Sequence, residues 1–93
     1  MTDENKGLSV KIGDDELKGR YSNLLRITHT REEFILDFLN AVHPQAIVTA
    51  RLITSPGHLK RILRALRENL ERYEKAFGVI EEAAAPIHGG DIN

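Results

Sequence analysis

Six large apolar residues, Leu59, Leu63, Leu66, Leu70, Tyr73 and Phe77, recur at spacings of four and three, and the stretch that carries them is punctuated at both ends. Ser55 with Pro56 suits an N-cap followed by the first helical position, and Gly78 suits the left-handed residue after the last turn, with Val79 placed for the apolar contact that accompanies it. The spacing predicts one helix over Pro56 to Phe77. Its outer surface holds Glu68 with Arg72 and Glu71 with Lys75, each pair four apart in the favourable orientation. A single apolar stripe of this length must be buried against a sheet or another helix, yet no residue in it does chemistry.

The stripe belongs to a chain of 93 residues, which makes one domain. A chain this short buries only about 60 to 65% of its unfolded surface, so its core is marginal without a partner, and self-association is the natural remedy. The absence of cysteine excludes a disulfide framework and thiolate chemistry. Met1-Thr2-Asp3-Glu4-Asn5-Lys6 is polar and does not read as a secretory signal, and no segment reaches the roughly 20 apolar residues of a membrane span. The expectation is a soluble, cytoplasmic protein. Thirteen basic and fourteen acidic residues give a net charge of -1, without the basic excess of a duplex-binding module, so nucleic acid is not the default partner.

Residues 1–7 read as a flexible N-terminus and 81–93, with Ala83-Ala84-Ala85-Pro86 and Gly89-Gly90-Asp91, as a flexible C-terminal tail; residues 8–80 read as the folded domain. Leu8, Val10 and Ile12 alternate with Ser9 and Lys11 as a short strand that Gly13-Asp14-Asp15 breaks. Tyr21 to Thr28 alternates again, with Leu25 and Ile27 on one side and Leu24 and Arg26 on the other.

The segment Glu33 to Val42 admits two readings. Thr30-Arg31-Glu32-Glu33 matches a capping box, and Ile35, Phe38, Leu39 and Val42 would share a helical face. Strand explains more. With a turn centred on Pro44, an antiparallel register sets Phe34, Leu36 and Phe38 opposite Thr54, Leu52 and Ala50, and sets Ile35, Asp37 and Leu39 opposite Ile53, Arg51 and Thr49. The first set builds an apolar face, and Asp37 with Arg51 makes a cross-strand charge pair. Ala46 to Thr54, rich in β-branched residues, is the clearest strand. The predicted fold class is α+β: a four-stranded antiparallel β-meander followed by one long C-terminal α-helix packed on the sheet.

Gly19-Arg20-Tyr21-Ser22-Asn23-Leu24, Glu33-Phe34-Ile35-Leu36-Asp37-Phe38, Ala50-Arg51-Leu52-Ile53-Thr54-Ser55-Pro56 and Leu70-Glu71-Arg72-Tyr73-Glu74-Lys75-Ala76-Phe77-Gly78 together resemble a small uncharacterised prokaryotic family, domain of unknown function number 3467. The likeness covers about Leu8 to Ile80 and implies no reaction, substrate or cofactor. The strand order is also similar to the four-strand-then-helix core of the SecB-like export chaperones, which form oligomers through sheet and helix. That second likeness is of topology alone, a weak warrant for function.

Few residues group as chemistry requires. His29, His43, His58 and His88 sit in separate segments without a second ligand at metal spacing. Asp14-Asp15-Glu16 lacks the glycine and closing glutamate of a calcium loop and reads as a solvated turn. Asp37 reads as half of a structural ion pair, since no base or nucleophile stands beside it. Ser55-Pro56-Gly57-His58 lacks the glycines and Lys-Ser/Thr of a phosphate loop and reads as ordinary capping. No metal, cofactor or catalytic residue is expected, and the chain does not read as an enzyme.

Surfaces are more informative. Once the helix covers Val48, Ala50, Leu52, Phe34, Leu36 and Phe38, the reverse side of the sheet still presents Leu24, Ile35, Leu39, Ile47 and Ile53 around Arg26, Asp37 and Arg51. A two-fold copy or a partner's apolar segment would cover it. The helix, at about 33 Å, is longer than an eight-residue strand of about 27 Å, so Tyr73 and Phe77 would overhang toward a neighbour. The first functional expectation is a non-enzymatic homo-oligomer, a dimer or larger, that binds protein as an adaptor or a chaperone-like module. The alternative is a nucleic-acid-binding dimer using Lys60, Arg64 and Arg67, which share one helical face.

Overall fold

A computed structural model describes residues 7–86 of the chain. The expected loose ends at 1–6 and 87–93, with His88, lie outside the described residues, and 81–86 carry no regular structure. In order, the elements are α1 (Asp14–Lys18), β1 (Leu24–His29), β2 (Phe34–Val42), β3 (Gln45–Thr54) and α2 (Pro56–Phe77). The three strands form one antiparallel sheet in the order β1-β2-β3.

The sheet therefore has three strands, not the four that alternation suggests. Leu8, Val10 and Ile12 are exposed and belong to no strand. Alternation makes a segment competent to pair, but pairing needs an edge to receive it, and none of the described strands pairs with this segment. The four-strand order behind the SecB-like likeness is thus not formed among the described residues. The acidic run after Gly13 is a single helical turn, α1, with Asp14, Asp15 and Glu16 in its first turn and Lys18 at its end, charges that suit the helix dipole.

Thr30 resolves the ambiguity before β2. Its Oγ1 accepts from the backbone N–H groups of Glu32 and Glu33, both at 3.2 Å, and its own N–H donates to Glu33 O at 3.0 Å. The same side chain that would cap a helix closes the β1–β2 turn instead, because local hydroxyl-to-backbone bonds serve either structure. Past it, β2 pairs with β3 as Phe34–Thr54, Ile35–Ile53, Leu36–Leu52, Asp37–Arg51 and Phe38–Ala50. His43 and Pro44, joined by a cis peptide, form the turn, and Val42 pairs with Gln45.

A bulge after Phe38 breaks the expected register. Leu39 pairs with Val48 rather than Thr49, and Asn40 with Ile47, so pairing places Val48 on the reverse face and Ile47 on the helix side, the opposite of plain alternation. Thr49, the extra residue, is held by its hydroxyl, 3.1 Å from Phe38 O and 3.2 Å from Tyr21 O. Ser22 Oγ lies 3.2 Å from Leu39 O, and the Asn23 side chain bonds both backbone groups of Ala41, at 2.8 and 3.0 Å. The segment entering β1 thus bonds to β3 and then to β2 at the end of the sheet where Leu39 and Ala41 are buried.

Buried residues among those described are Leu36, Asp37, Leu39 and Ala41, and all four lie in β2. Helix α2 spans the predicted bounds but has no buried residue; only Leu59, Ile62 and Glu74 are half-buried along it. It approaches the sheet with its first turns and leaves an open cleft of about 360 Å³ between itself and Leu25, Ile27 and Leu36. The accessible surface is 8382 Å². A compact monomer of this mass would expose about 5,400 Å². The radius of gyration is 15.7 Å, against about 12 Å for a compact domain of this length. The exposed stripe of α2 contributes to that excess.

Candidate association surface

Helix α2 is well made as a helix. Ser55 Oγ accepts from His58 N–H at 3.1 Å, and Pro56 occupies the first turn, where a missing N–H costs nothing. At the far end Gly78 has φ 99° and ψ 167°, a mirror-extended geometry open to glycine rather than the left-handed helical position that the sequence suggests. The chain leaves straight, so Val79 is 89% exposed and makes no capping contact. Glu74 supplies the closure: its backbone carbonyl accepts from Gly78 N–H, and its carboxylate Oε2 accepts from Ile80 N–H, both at 2.9 Å. A carboxylate near a helix C-terminus opposes the dipole, and that mismatch was the sequence signal for a specific role.

The seam of α2 is open along most of its length. Leu63, Leu66, Leu70, Tyr73 and Phe77 are all at least half exposed or close to it, and Phe77 reaches 76%. Tyr73 and Phe77 stack their rings with centroids 5.0 Å apart at 49°. Near the N-terminal half, Leu59, Lys60, Ile62, Leu63 and Leu66 form one wall of the cleft whose other wall is Leu25, Ile27 and Leu36. Ile62 belongs to this wall although it falls outside the stripe; its three-residue distance from Leu59 was the available sign.

The reverse face is organised around charge. Asp37 is 2% exposed. Arg51 grips it with two bonds, Nε to Oδ1 at 2.7 Å and a terminal nitrogen to Oδ2 at 3.0 Å, and Arg26 reaches Oδ2 at 3.3 Å from the other neighbouring strand. The Arg51 hydrogen bonds hold the Asp37 carboxyl below its ordinary range against the opposing effect of burial, with Arg26 adding in the same direction. Arg51 is correspondingly raised. Of the apolar residues expected around this triad, Leu39 is core, Leu24 and Ile35 are half-buried, and Ile47 and Ile53 are exposed. They do not form one continuous patch: the bulge moves Ile47, and the two arginines separate Leu39 from Ile53 along the strands.

Lys60, Arg64 and Arg67 do lie together, flanking a shallow groove of about 280 Å³ with Arg61 and Leu63. No group of three or more His, Cys, Asp or Glu side chains comes together among the described residues, and no described helix is long and apolar enough to cross a membrane.

The sequence pattern that carries all of this matches a family described as "Protein of unknown function (DUF3467)" over residues 1–82. The chain belongs to that family. No curated protein and no solved structure matches it. The match takes in the unpaired Leu8–Ile12 segment, the sheet and the whole of α2, so the family spans every element described above.

Proposed function

We propose that this DUF3467 chain is a small non-enzymatic protein-binding module that works as a homo-oligomer. The observation that carries the reading is the mismatch between core and apolar surface: among the described residues three apolar side chains are buried, while Leu63, Leu66, Leu70, Tyr73 and Phe77 of α2 are each about half exposed or more. Apolar area of this extent on α2 and the cleft favours a covering partner over water. Oligomerisation through α2 leaves the reverse face, with its Arg26–Asp37–Arg51 triad and the exposed Ile53, and the Leu8–Ile12 segment outward, and these are the surfaces offered to another protein, as an adaptor or a chaperone-like module would offer them. Absolute mass by light scattering after gel filtration, over a range of concentrations and at two salt levels, tests it. A dimer or larger species is expected; a monomer at every concentration removes the reading.

A second reading rests on the groove flanked by Lys60, Arg61, Arg64 and Arg67. It predicts binding of DNA or RNA at low salt that weakens as salt rises and when Lys60, Arg64 and Arg67 are neutralised together. The net charge of -1 and the lack of an aromatic among these bases make it the lesser one.

A further inference from the structure

The open seam of α2 has a direction written into it. Successive gaps of four, three, four, three and four residues between Leu59 and Phe77 are the spacing of a coiled-coil seam over about three heptads, and five of the six side chains project into solvent. The cleft beside the N-terminal half is lined by apolar atoms from both the helix and the sheet, with the Lys60 stem at its margin. We infer that α2 packs antiparallel against α2 of a second copy about a two-fold axis that crosses the seam between Leu66 and Leu70, so that the C-terminal half of each helix fills the cleft of the other. The inference rests on the homo-oligomer reading and adds its geometry.

Antiparallel pairing centred there matches every layer. Leu59 meets the partner's Phe77, Leu63 meets the partner's Tyr73, and Leu66 meets the partner's Leu70, so each aromatic at one end faces a leucine beside the open cleft. The flanking positions are complementary too. Lys60 comes opposite the partner's Glu74, and the symmetry repeats that pair at the other end. Asn69 meets the partner's Asn69 beside the axis, a neutral polar contact. Arg67 facing the partner's Arg67 is the one like-charge pair, and long exposed side chains can splay from it. A parallel pair would instead set Ile62 against the partner's Arg67 and Asn69 against the partner's Glu74. It gains no charge pair, and it carries both Tyr73–Phe77 ends away from the clefts.

The chain has no cysteine, so a single introduced thiol reports the orientation without interference. Asn69 bonds only within its own helix, to Ala65 O at 2.8 Å and weakly to Arg72 at 3.5 Å, so Asn69→Cys leaves the protomer intact. Oxidation of N69C is expected to give a disulfide-linked dimer, whereas Arg64→Cys on the outer face gives none. Register is read by charge exchange. Lys60→Glu and Glu74→Lys are each expected to weaken the dimer about five- to tenfold, since two symmetry-related pairs turn repulsive, and the double exchange is expected to restore it. Restoration cannot come from the Ile80 cap, which E74K loses in both backgrounds. A protein that scatters as a dimer but whose N69C form does not link, or whose exchange does not restore, overturns the antiparallel pairing and leaves the homo-oligomer reading standing. A monomer at every concentration overturns both.

Discussion

Strand β2 and helix α2 have opposite relations to solvent. The strand has nine residues, is paired on both edges, and contains all four of the buried side chains among the described residues. The helix has 22 residues, is capped at both ends, and buries none. Burial in β2 follows from its position, since a central strand is shielded by its neighbours and the one charge it carries is met by an arginine from each side. The helix is a sound local structure whose apolar stripe meets the sheet of its own protomer only loosely, across the cleft beside its N-terminal half. Local propensity and capping therefore decide that an element forms, while tertiary neighbours decide whether its stripe is satisfied.

The largest expected effect falls on the strand. Leu39 is 3% exposed, and Leu39→Ala removes a buried side chain from a core in which, among the described residues, Leu36 and Ala41 are the other buried apolar side chains. A loss of about 2 to 5 kcal/mol is expected in urea unfolding, a large part of the stability of a domain this small. A loss under about 1 kcal/mol would mean that the sheet is not where the protomer's stability resides.

Acid should act next, and again through β2. The Asp37 carboxyl ionises more readily in the folded chain than at its ordinary value of 3.8, because Arg51 and Arg26 stabilise the carboxylate. Its contribution is therefore present in full above the unfolded value and is lost as pH falls through the lower folded value. Wild-type melting temperature is expected to fall more steeply below about pH 4 than that of Asp37→Asn, which removes the titrating charge. Parallel curves for the two proteins would show that the arginines do not act through this charge.

How far the sequence reads correctly divides along the same line. Periodicity and punctuation located α2 from Pro56 to Phe77, and cross-strand matching of Asp37 with Arg51 set the β2–β3 register as far as Phe38. Beyond Phe38 nothing in the alternation announces a bulge, since Val48 and Ile47 are equally apolar and either fits either face. Leu8, Val10 and Ile12 alternate as well as any strand, yet a pattern along the chain does not say which edge will receive it. The seam was legible as a stripe, but the cleft beside it depends on the angle at which α2 leaves Thr54, which no residue spacing encodes.

The helix caps are worth less than the core. Ser55→Ala removes the acceptor of the His58 N–H and should cost about 1 kcal/mol, read as fraying of the first turn by hydrogen exchange. Its effect on the sheet should be slight, because only Leu59 and Ile62 near that end are half-buried. Gly78→Ala meets a φ of 99° that alanine resists, although no atom lies close enough to clash. The residues after it form no regular structure, so the chain can relax there, and a loss below about 1 kcal/mol is expected.

The smallest effect on the isolated protomer separates the two regions most sharply, because the chemistry is the same as at Leu39. Leu70 is 49% exposed in the middle of α2. Leu70→Ala deletes the same atoms, but the protomer already leaves much of that side chain in water, and alanine favours the helix slightly. In dilute solution its stability is expected to lie within about 0.5 kcal/mol of wild type. Anything that binds only the folded chain raises its melting temperature with concentration, and a second copy is such a ligand. The wild-type melting temperature should therefore climb with protein concentration, and that of the Leu70 variant should climb less, so the gap between them opens from near zero. The gap produced by Leu39→Ala should already be present at the lowest concentration. If Leu70→Ala costs as much as Leu39→Ala under dilution, the stripe is core within the protomer and the contrast between β2 and α2 fails; if its gap stays near zero at every concentration, nothing covers the helix seam.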